Sequence, residues 1–300
     1  MRIDPASFYS EGLKLDAAFF LPDEGREERS RPLVITCSGF MGLKDIHPAR
    51  FGRALTALGY TCFGFDYRGF ANSEGERRRV LLEEQISDIA NAAAFASTHP
   101  NAGGGRILLM GWGMGGGLVL EAARLIPRIV GLVCMNGFYN GKRVQKMVRG
   151  FSDYVAFLER TDAARTVASK RGEVVDVDPF SIYPLDPQSE AYVDDTLRLV
   201  PEFGGLVKPM LADSLLRFAP DTNLDDLSRV PLLIAHGERN FLHPPTEAES
   251  LYKAYPGPKE LFWLWKAGHT EWMDDANPTF RKLVAAIDNW YHSQIATHSS

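Results

Sequence analysis

The chain has 300 residues, 45% of them hydrophobic and 24% charged, with 33 Lys and Arg against 38 Asp and Glu for a net charge of −5. A chain of this size buries a large core and needs no disulfide or metal staple. The acidic balance excludes the basic face that nucleic acid requires and electrostatic docking on an anionic membrane, and no run reaches the ~20 apolar residues of a membrane-spanning helix.

The start, Met1 to Pro5, has no apolar h-region, so a secretory leader is not expected. Short apolar runs then alternate with amphipathic stretches, the signal of a mainly parallel sheet with crossover helices. In order they are strand Leu15–Leu21, strand Leu33–Cys37, helix Ala49–Leu58, strand Thr61–Phe65 and helix Leu82–Ser97, the last with Ile86, Ile89, Ala93 and Phe95 on one face. The basic run Arg77–Arg79 reads as a solvated face. Ala102 to Gly105 precedes a strand and lacks Gly-Lys-Ser/Thr, so it is no phosphate loop. Strand Ile107–Met110, helix Met114–Leu125 and strand Ile129–Cys134 follow.

From about Phe138 to Arg229 the alternation stops. Charged helical residues (Lys142–Leu158), an irregular piece (Asp178 to Pro184) and a helix around Leu206–Leu216 predict an insertion over the C-terminal edge of the sheet, where open α/β sheets bind ligands. The basic residues from Lys142 to Arg149 read as another solvated face, and Phe138, Tyr139, Phe151, Tyr154 and Phe157 as packing or pocket wall. Strand Leu232–His236, helix Thr246–Ala254, strand Glu260–Trp265 and helix Phe280–Gln294 complete the chain. The expected division is a core of residues 1–137 and 230–300 and a cap, or lid, of 138–229. Cys37, Cys62 and Cys134 are odd in number and lie in strand-like runs, so they read as buried thiols of a reducing compartment; the expected location is the cytoplasm. The seven histidines show neither an i, i+4 pair nor a cysteine cluster, so no metal site is expected.

Ile107-Leu-Leu-Met-Gly111-Trp112-Gly113-Met114-Gly115-Gly116-Gly117 runs from a strand through a glycine-rich turn into a helix and resembles the nucleophile elbow of the α/β-hydrolase superfamily. Leu33 to Gly42 resembles the strand and loop that supply half the oxyanion hole, with Ser38 where His is common. Gly59 to Gly69 is similar to the superfamily's next strand and its Asp66-x-Arg68-Gly69 turn, read as structural. His236-Gly237-Glu238-Arg239-Asn240 looks like the strand end that carries the acid, and Ala267-Gly268-His269-Thr270-Glu271-Trp272 like the loop of the catalytic histidine. The resemblance covers nearly the whole chain. It implies an α/β-hydrolase fold whose triad is degenerate, with Gly113 at the nucleophile position, Asn240 at the acid position and His269 retained.

Gly113 has no side chain, so no covalent acyl-enzyme forms there. An Asn at the acid position orients an imidazole without giving charge to the imidazolium, a change that costs a serine triad roughly 10⁴ in turnover. The backbone donors implied for the oxyanion hole, Phe40 or Met41 and Met114, survive loss of the serine. Ser38, Trp112 and Glu238 are candidate substrate contacts. Glu238 or Glu271 could replace the missing carboxylate, and His243, before Pro244-Pro245, reads as exposed. This set suits proton abstraction, elimination or cyclisation next to a carbonyl, a lyase, cyclase or isomerase step without cofactor, on a carbonyl-containing small molecule such as a biosynthetic acyl or polyketide-like intermediate. Two alternatives stand beside it: an esterase- or thioesterase-like hydrolase in which His269 activates a water held at Gly113, and a dead pseudo-hydrolase that binds a ligand or protein, as the N-myc downstream-regulated proteins resemble. A homo-oligomer is compatible with all three.

Overall fold

The computed structural model describes residues 1–23, 31–39, 41–201 and 203–294. Eight strands form one sheet in the order β1-β2-β4-β3-β5-β6-β7-β8. β1 (Arg2–Ser10) pairs antiparallel with β2 (Leu13–Leu21), which pairs antiparallel with β4 (Thr61–Phe65). β3 (Leu33–Cys37), β5 (Ile107–Trp112), β6 (Ile129–Met135), β7 (Leu232–Gly237) and β8 (Lys259–Leu264) continue from β4 in parallel register. β3, β4, β5 and β7 are buried along their whole length, which is why they read as unbroken apolar runs rather than alternating ones.

Both sheet faces are covered. α1 (His47–Thr56) and α9 (Pro278–Gln294) pack Phe51, Leu55, Phe280 and Ile287 on one face with Val34, Leu108 and Val133. On the other, α2 (Leu82–Ala96), α3 (Met114–Ala123) and a helix over Pro245–Ala254 bring Ile89, Leu118 and Leu251 against Ile35, Leu109 and Ile234.

Between β6 and β7 lies a helical insertion. α4 (Gly141–Arg171) is bent at Gly150, whose φ of 70 and ψ of 178 interrupt the helical path. α5 (Pro179–Ile182), α6 (Pro187–Asp195) and α7 (Met210–Arg217) follow, and the Pro245–Ala254 helix is α8. α5 and α6 are both capped by aspartates: Asp178 accepts from Phe180 N, and Asp186 from Gln188 and Ser189 N. The expected irregular stretch over 178–184 thus contains a short helix, because Asp-Pro is a start signal for one.

Within the basic run from Lys142, Arg143 is no solvated residue. It pairs with the fully buried Glu247 of α8 and with Asp221. Of the five aromatic residues at the insertion's start, Phe138, Tyr139, Tyr154 and Phe157 are buried in the core and Phe151 is exposed. All three cysteines are buried free thiols, and desolvation drives each thiol's pKa up.

Candidate functional site

β5 ends at Trp112, the chain reverses at Gly113 with φ 61 and ψ −130, and α3 begins at Met114. That backbone conformation is strained for any residue with a Cβ. The helix start lies so close to the β3 loop that a Cβ on Gly115 would sit 2.4 Å from Ser38 O. At Gly113 the opposite holds: a Cβ would meet only the His269 ring, 3.6 Å from Nε2 and 3.9 Å from Cε1. Met114 N–H, at the first position of α3, has no carbonyl partner within its own helix and carries the positive end of the helix dipole. A Cβ on Gly39, in the β3 loop, would lie 4.0 Å from that nitrogen, so the loop and the helix start face each other.

His269 is held by the sheet edge. Asn136, after β6, takes a φ of 47 and donates through Nδ2 to Gly268 O at 3.2 Å and His269 O at 2.9 Å, while its Oδ1 accepts from Gly237 N at 2.7 Å. Asn240 Oδ1 accepts from His243 N at 2.9 Å and from His269 Nδ1 at 3.2 Å. An acceptor at Nδ1 fixes the proton there and leaves the Nε2 lone pair toward Gly113. His236 Nε2 donates to His243 O at 2.8 Å, so the Asn240 Nδ2, 3.3 Å from the same nitrogen, faces another donor.

Four buried histidines surround the turn: His47, His236, His243 and His269. Trp112 stacks on His47 with centroids 3.9 Å apart and leans on His269 at 4.8 Å; His243 meets His269 edge-on at 4.7 Å. Desolvation keeps them uncharged. It lowers His47 to about 3 and His236 and His243 to about 4, and it pushes His269 well below its ordinary 6.5, helped by charge repulsion from the other three. His269 is therefore a free base at neutral pH.

A stability consequence follows. Unfolded, each imidazole titrates near ~6.5. Below that pH the unfolded chain binds more protons than the folded one, so the stability held above pH ~6.5 is lost as pH falls toward about 4. The melting temperature in a calorimetric pH series is expected to drop steeply over this window, with a shallower slope in His243→Gln. A flat profile would show that these rings are hydrated.

The turn opens into a cavity of about 80 Å³. Ser38, Met41, Trp112, Gly113, Met114 and His269 all line it. Asn240 stands behind His269, fully buried. Phe40 lies outside the described residues. Glu238 is not a lining residue; its carboxylate is at the surface, where it accepts from Lys266 N at 2.9 Å. Glu271 is likewise exposed and accepts from Gly268 N, so neither glutamate stands in for an acid at Asn240. His243 is fully buried, contrary to its loop-like surroundings: its Nδ1 donates to Asn136 O at 2.6 Å, and Tyr183 of the insertion hydrogen-bonds its Nε2. Asp66 and Arg68 tie down loops, Asp66 accepting from Lys44 N at 2.6 Å and Arg68 gripping Asp88 at 2.7 Å.

Sequence reasoning did not single out His47, Tyr183 or Tyr192, which also line the cavity. His47 carried a local signal, Ile46-His47-Pro48 at a helix start in the loop opposite the elbow. The two tyrosines come from the insertion, whose path over the sheet is set by tertiary packing.

The family described as serine aminopeptidase, S33, matches residues 28–276. An uncharacterized 31.7 kDa protein of the traX-finO intergenic region of Escherichia coli is 27% identical over 287 residues, covering 95% of this chain and 97% of its own. The thiohydrolase aneE of Aspergillus aculeatus is 22% identical over 296 residues, with 95% and 89% covered. The solved structure of DcsB in complex with its substrate analogue superposes with a TM-score of 0.79 at 18% identity, over 98% of this chain and 100% of the other, which is a likeness of fold.

Proposed function

We infer, for a chain that belongs to the serine aminopeptidase S33 family and so to the α/β hydrolases but has glycine in place of the nucleophilic serine, a non-hydrolytic proton-transfer reaction on an uncharged carbonyl compound. The observation that carries this reading is the unfilled Cβ position at Gly113, which lies in contact range of His269 Nε2 at 3.6 Å and beside the Met114 N–H at the head of α3. A substrate carbonyl placed there has its oxygen at the helix N-terminus and an adjacent C–H or O–H at the base. His269 takes that proton through Nε2, the Met114 N–H holds the developing oxyanion, and the proton returns to another atom of the same molecule or, where a bond is cleaved, to the departing fragment. A lyase, cyclase or isomerase step is of this kind.

Asn240 supplies no negative charge, and three neutral histidines surround the ring, so a lasting imidazolium is disfavoured. Chemistry that hands the proton back at once suits such a base. Among the described residues no charged side chain lines the cavity. The peptide specificity in the family's description therefore does not transfer, because an α-ammonium group would be stripped of water there without a carboxylate to receive it.

The likeness to a thiohydrolase across most of the chain favours one second reading, in which the space at Gly113 holds a water that His269 directs at a thioester or ester. Deuterium exchange separates the two. Ketones and keto esters incubated with the protein in D₂O are expected to exchange the protons next to the carbonyl above the buffer rate, as read by NMR. His269→Ala is expected to lower that exchange by a factor on the order of 10²–10⁴. Hydrolysis of activated thioesters without exchange would establish the second reading. Neither activity, with His269→Ala indifferent, would leave a ligand-binding protein.

A further inference from the structure

The cavity wall contains polar atoms that neither the proton transfer nor the fold uses. His47, Trp112 and Thr270 line the cavity, and their Nε2, Nε1 and Oγ1 atoms are buried with no hydrogen-bond partner among the described residues. Their residues are respectively 5%, 8% and 3% exposed, so surface water does not satisfy them. A buried donor or acceptor left unmade costs about 1–3 kcal/mol, and native proteins rarely keep several in one cavity wall without a use for them. Ile46, Leu185, Val193, Leu197 and Leu242 make up much of the remaining wall.

The three atoms lie around the reacting position. Trp112 directly precedes Gly113, its ring stacks on His47 and leans on His269, and Thr270 directly follows His269. Trp112 Nε1 can only donate, and Thr270 Oγ1 can donate or accept; the neutral His47 ring does either according to its tautomer. This set of donors and acceptors matches the needs of one oxygen atom, either a carbonyl accepting from the indole or a hydroxyl that also donates. None of them carries charge, since His47 is held neutral by its burial and by Arg50 nearby, so the set matches an uncharged oxygen.

We propose that His47, Trp112 and Thr270 form a recognition subsite for a second, uncharged oxygen of the substrate, a keto or hydroxyl group a few bonds from the reacting carbonyl. This deepens the proton-transfer reading and rests on it for the placement of that carbonyl at Met114. A hydroxy- or keto-carbonyl compound is also a natural partner for a base without a nucleophile, because the second oxygen acidifies the intervening C–H or supplies the O–H to be deprotonated. A site built to hydrogen-bond a substrate oxygen rejects the analogue that lacks it, since the protein groups are then left unpaired.

The test is a binding comparison by titration calorimetry or ligand-observed NMR with probes of equal chain length: ethyl hexanoate against its 3-oxo, 4-oxo, 5-oxo and 3-hydroxy derivatives. At least one oxygenated probe is expected to bind wild-type protein about tenfold more tightly than ethyl hexanoate, ~1.4 kcal/mol. Trp112→Phe keeps a ring against both histidines and removes only the donor, and Thr270→Val removes the hydroxyl at constant shape. Each is expected to shrink the preference of the oxygenated probe over ethyl hexanoate several-fold. His269→Ala should keep the preference, so binding with selectivity but no exchange in D₂O would fail the proton-transfer reading and sustain the subsite. Equal affinities for all five probes, or a preference unchanged in both Trp112→Phe and Thr270→Val, would overturn the subsite even if exchange is found.

Discussion

Gly113→Ser combined with Asn240→Asp is expected to turn the protein into a serine hydrolase that a fluorophosphonate labels once per chain, while the wild type stays unlabelled. The space for the side chain exists: a Cβ at 113 meets only the His269 ring, 3.6 Å from Nε2 and 3.9 Å from Cε1, and one further bond brings an Oγ into hydrogen-bond reach of that nitrogen. The backbone already holds the strained turn at φ 61, which a serine occupies at a cost of about 1–3 kcal/mol. At 240 the amide oxygen already accepts from His243 N and His269 Nδ1, while the amide nitrogen faces the donor His236 Nε2 at 3.3 Å. A carboxylate oxygen accepts where that nitrogen cannot. Its charge raises the His269 pKa from its depressed value and stabilises the imidazolium that acylation generates. The double variant should therefore exceed Gly113→Ser alone by roughly 10³–10⁴ in ester turnover. An unlabelled double variant of native stability would mean that Met114 and the β3 loop do not form a working oxyanion hole.

Arg143→Met is expected to lower stability by about 3 kcal/mol, the low end for breaking a buried ion pair because a third of the arginine is exposed. The arginine's Nη2 donates to Glu247 Oε2 at 2.7 Å, and its Nη1 to Asp221 at 2.7 Å. Glu247 is fully buried on α8, where its carboxylate also receives Tyr139 N at 2.9 Å. Removing the guanidinium leaves that charge in the interior with only a backbone donor. For a chain of this size the loss corresponds to roughly 5 °C in melting temperature. Arg143→Met with Glu247→Gln should recover much of it in a denaturant titration, since the fully buried charge is then gone and Asp221 keeps Asn140 as a donor. Equal losses in the single and double variants would show that packing of the arginine stem, not charge, joins α4 to the core.

Much of the core could be read in advance because its signals are local. The run from Ile107 to Gly117 encodes strand, turn and helix in consecutive residues, and the glycines needed for close approach lie in the same stretch. Elements whose form depends on distant partners were harder to see. β1 alternates exposed and partly buried residues along an edge and includes Pro5, so it lacks an apolar run, and its pairing with β2 gives it shape. α6 buries only Ser189 and Val193, too few to print a helical period. Its contribution of Tyr192 to the cavity follows from the insertion's path. His243 sits before two prolines in a stretch that looks like surface loop; burial comes from Tyr183, sixty residues earlier. Glu238 and Glu271 sit beside the acid and histidine positions in sequence, yet strand alternation and a turn send both outward.

The vacancy at the Gly113 turn also bears on descent. A glycine codon differs from a serine codon by a single nucleotide, and so does an asparagine codon from one for aspartate. The turn keeps its strained conformation and the room for a side chain even though no side chain occupies it. Few mutational steps therefore separate this chain from a covalent esterase, and the rest of the scaffold would not have to be rebuilt along the way.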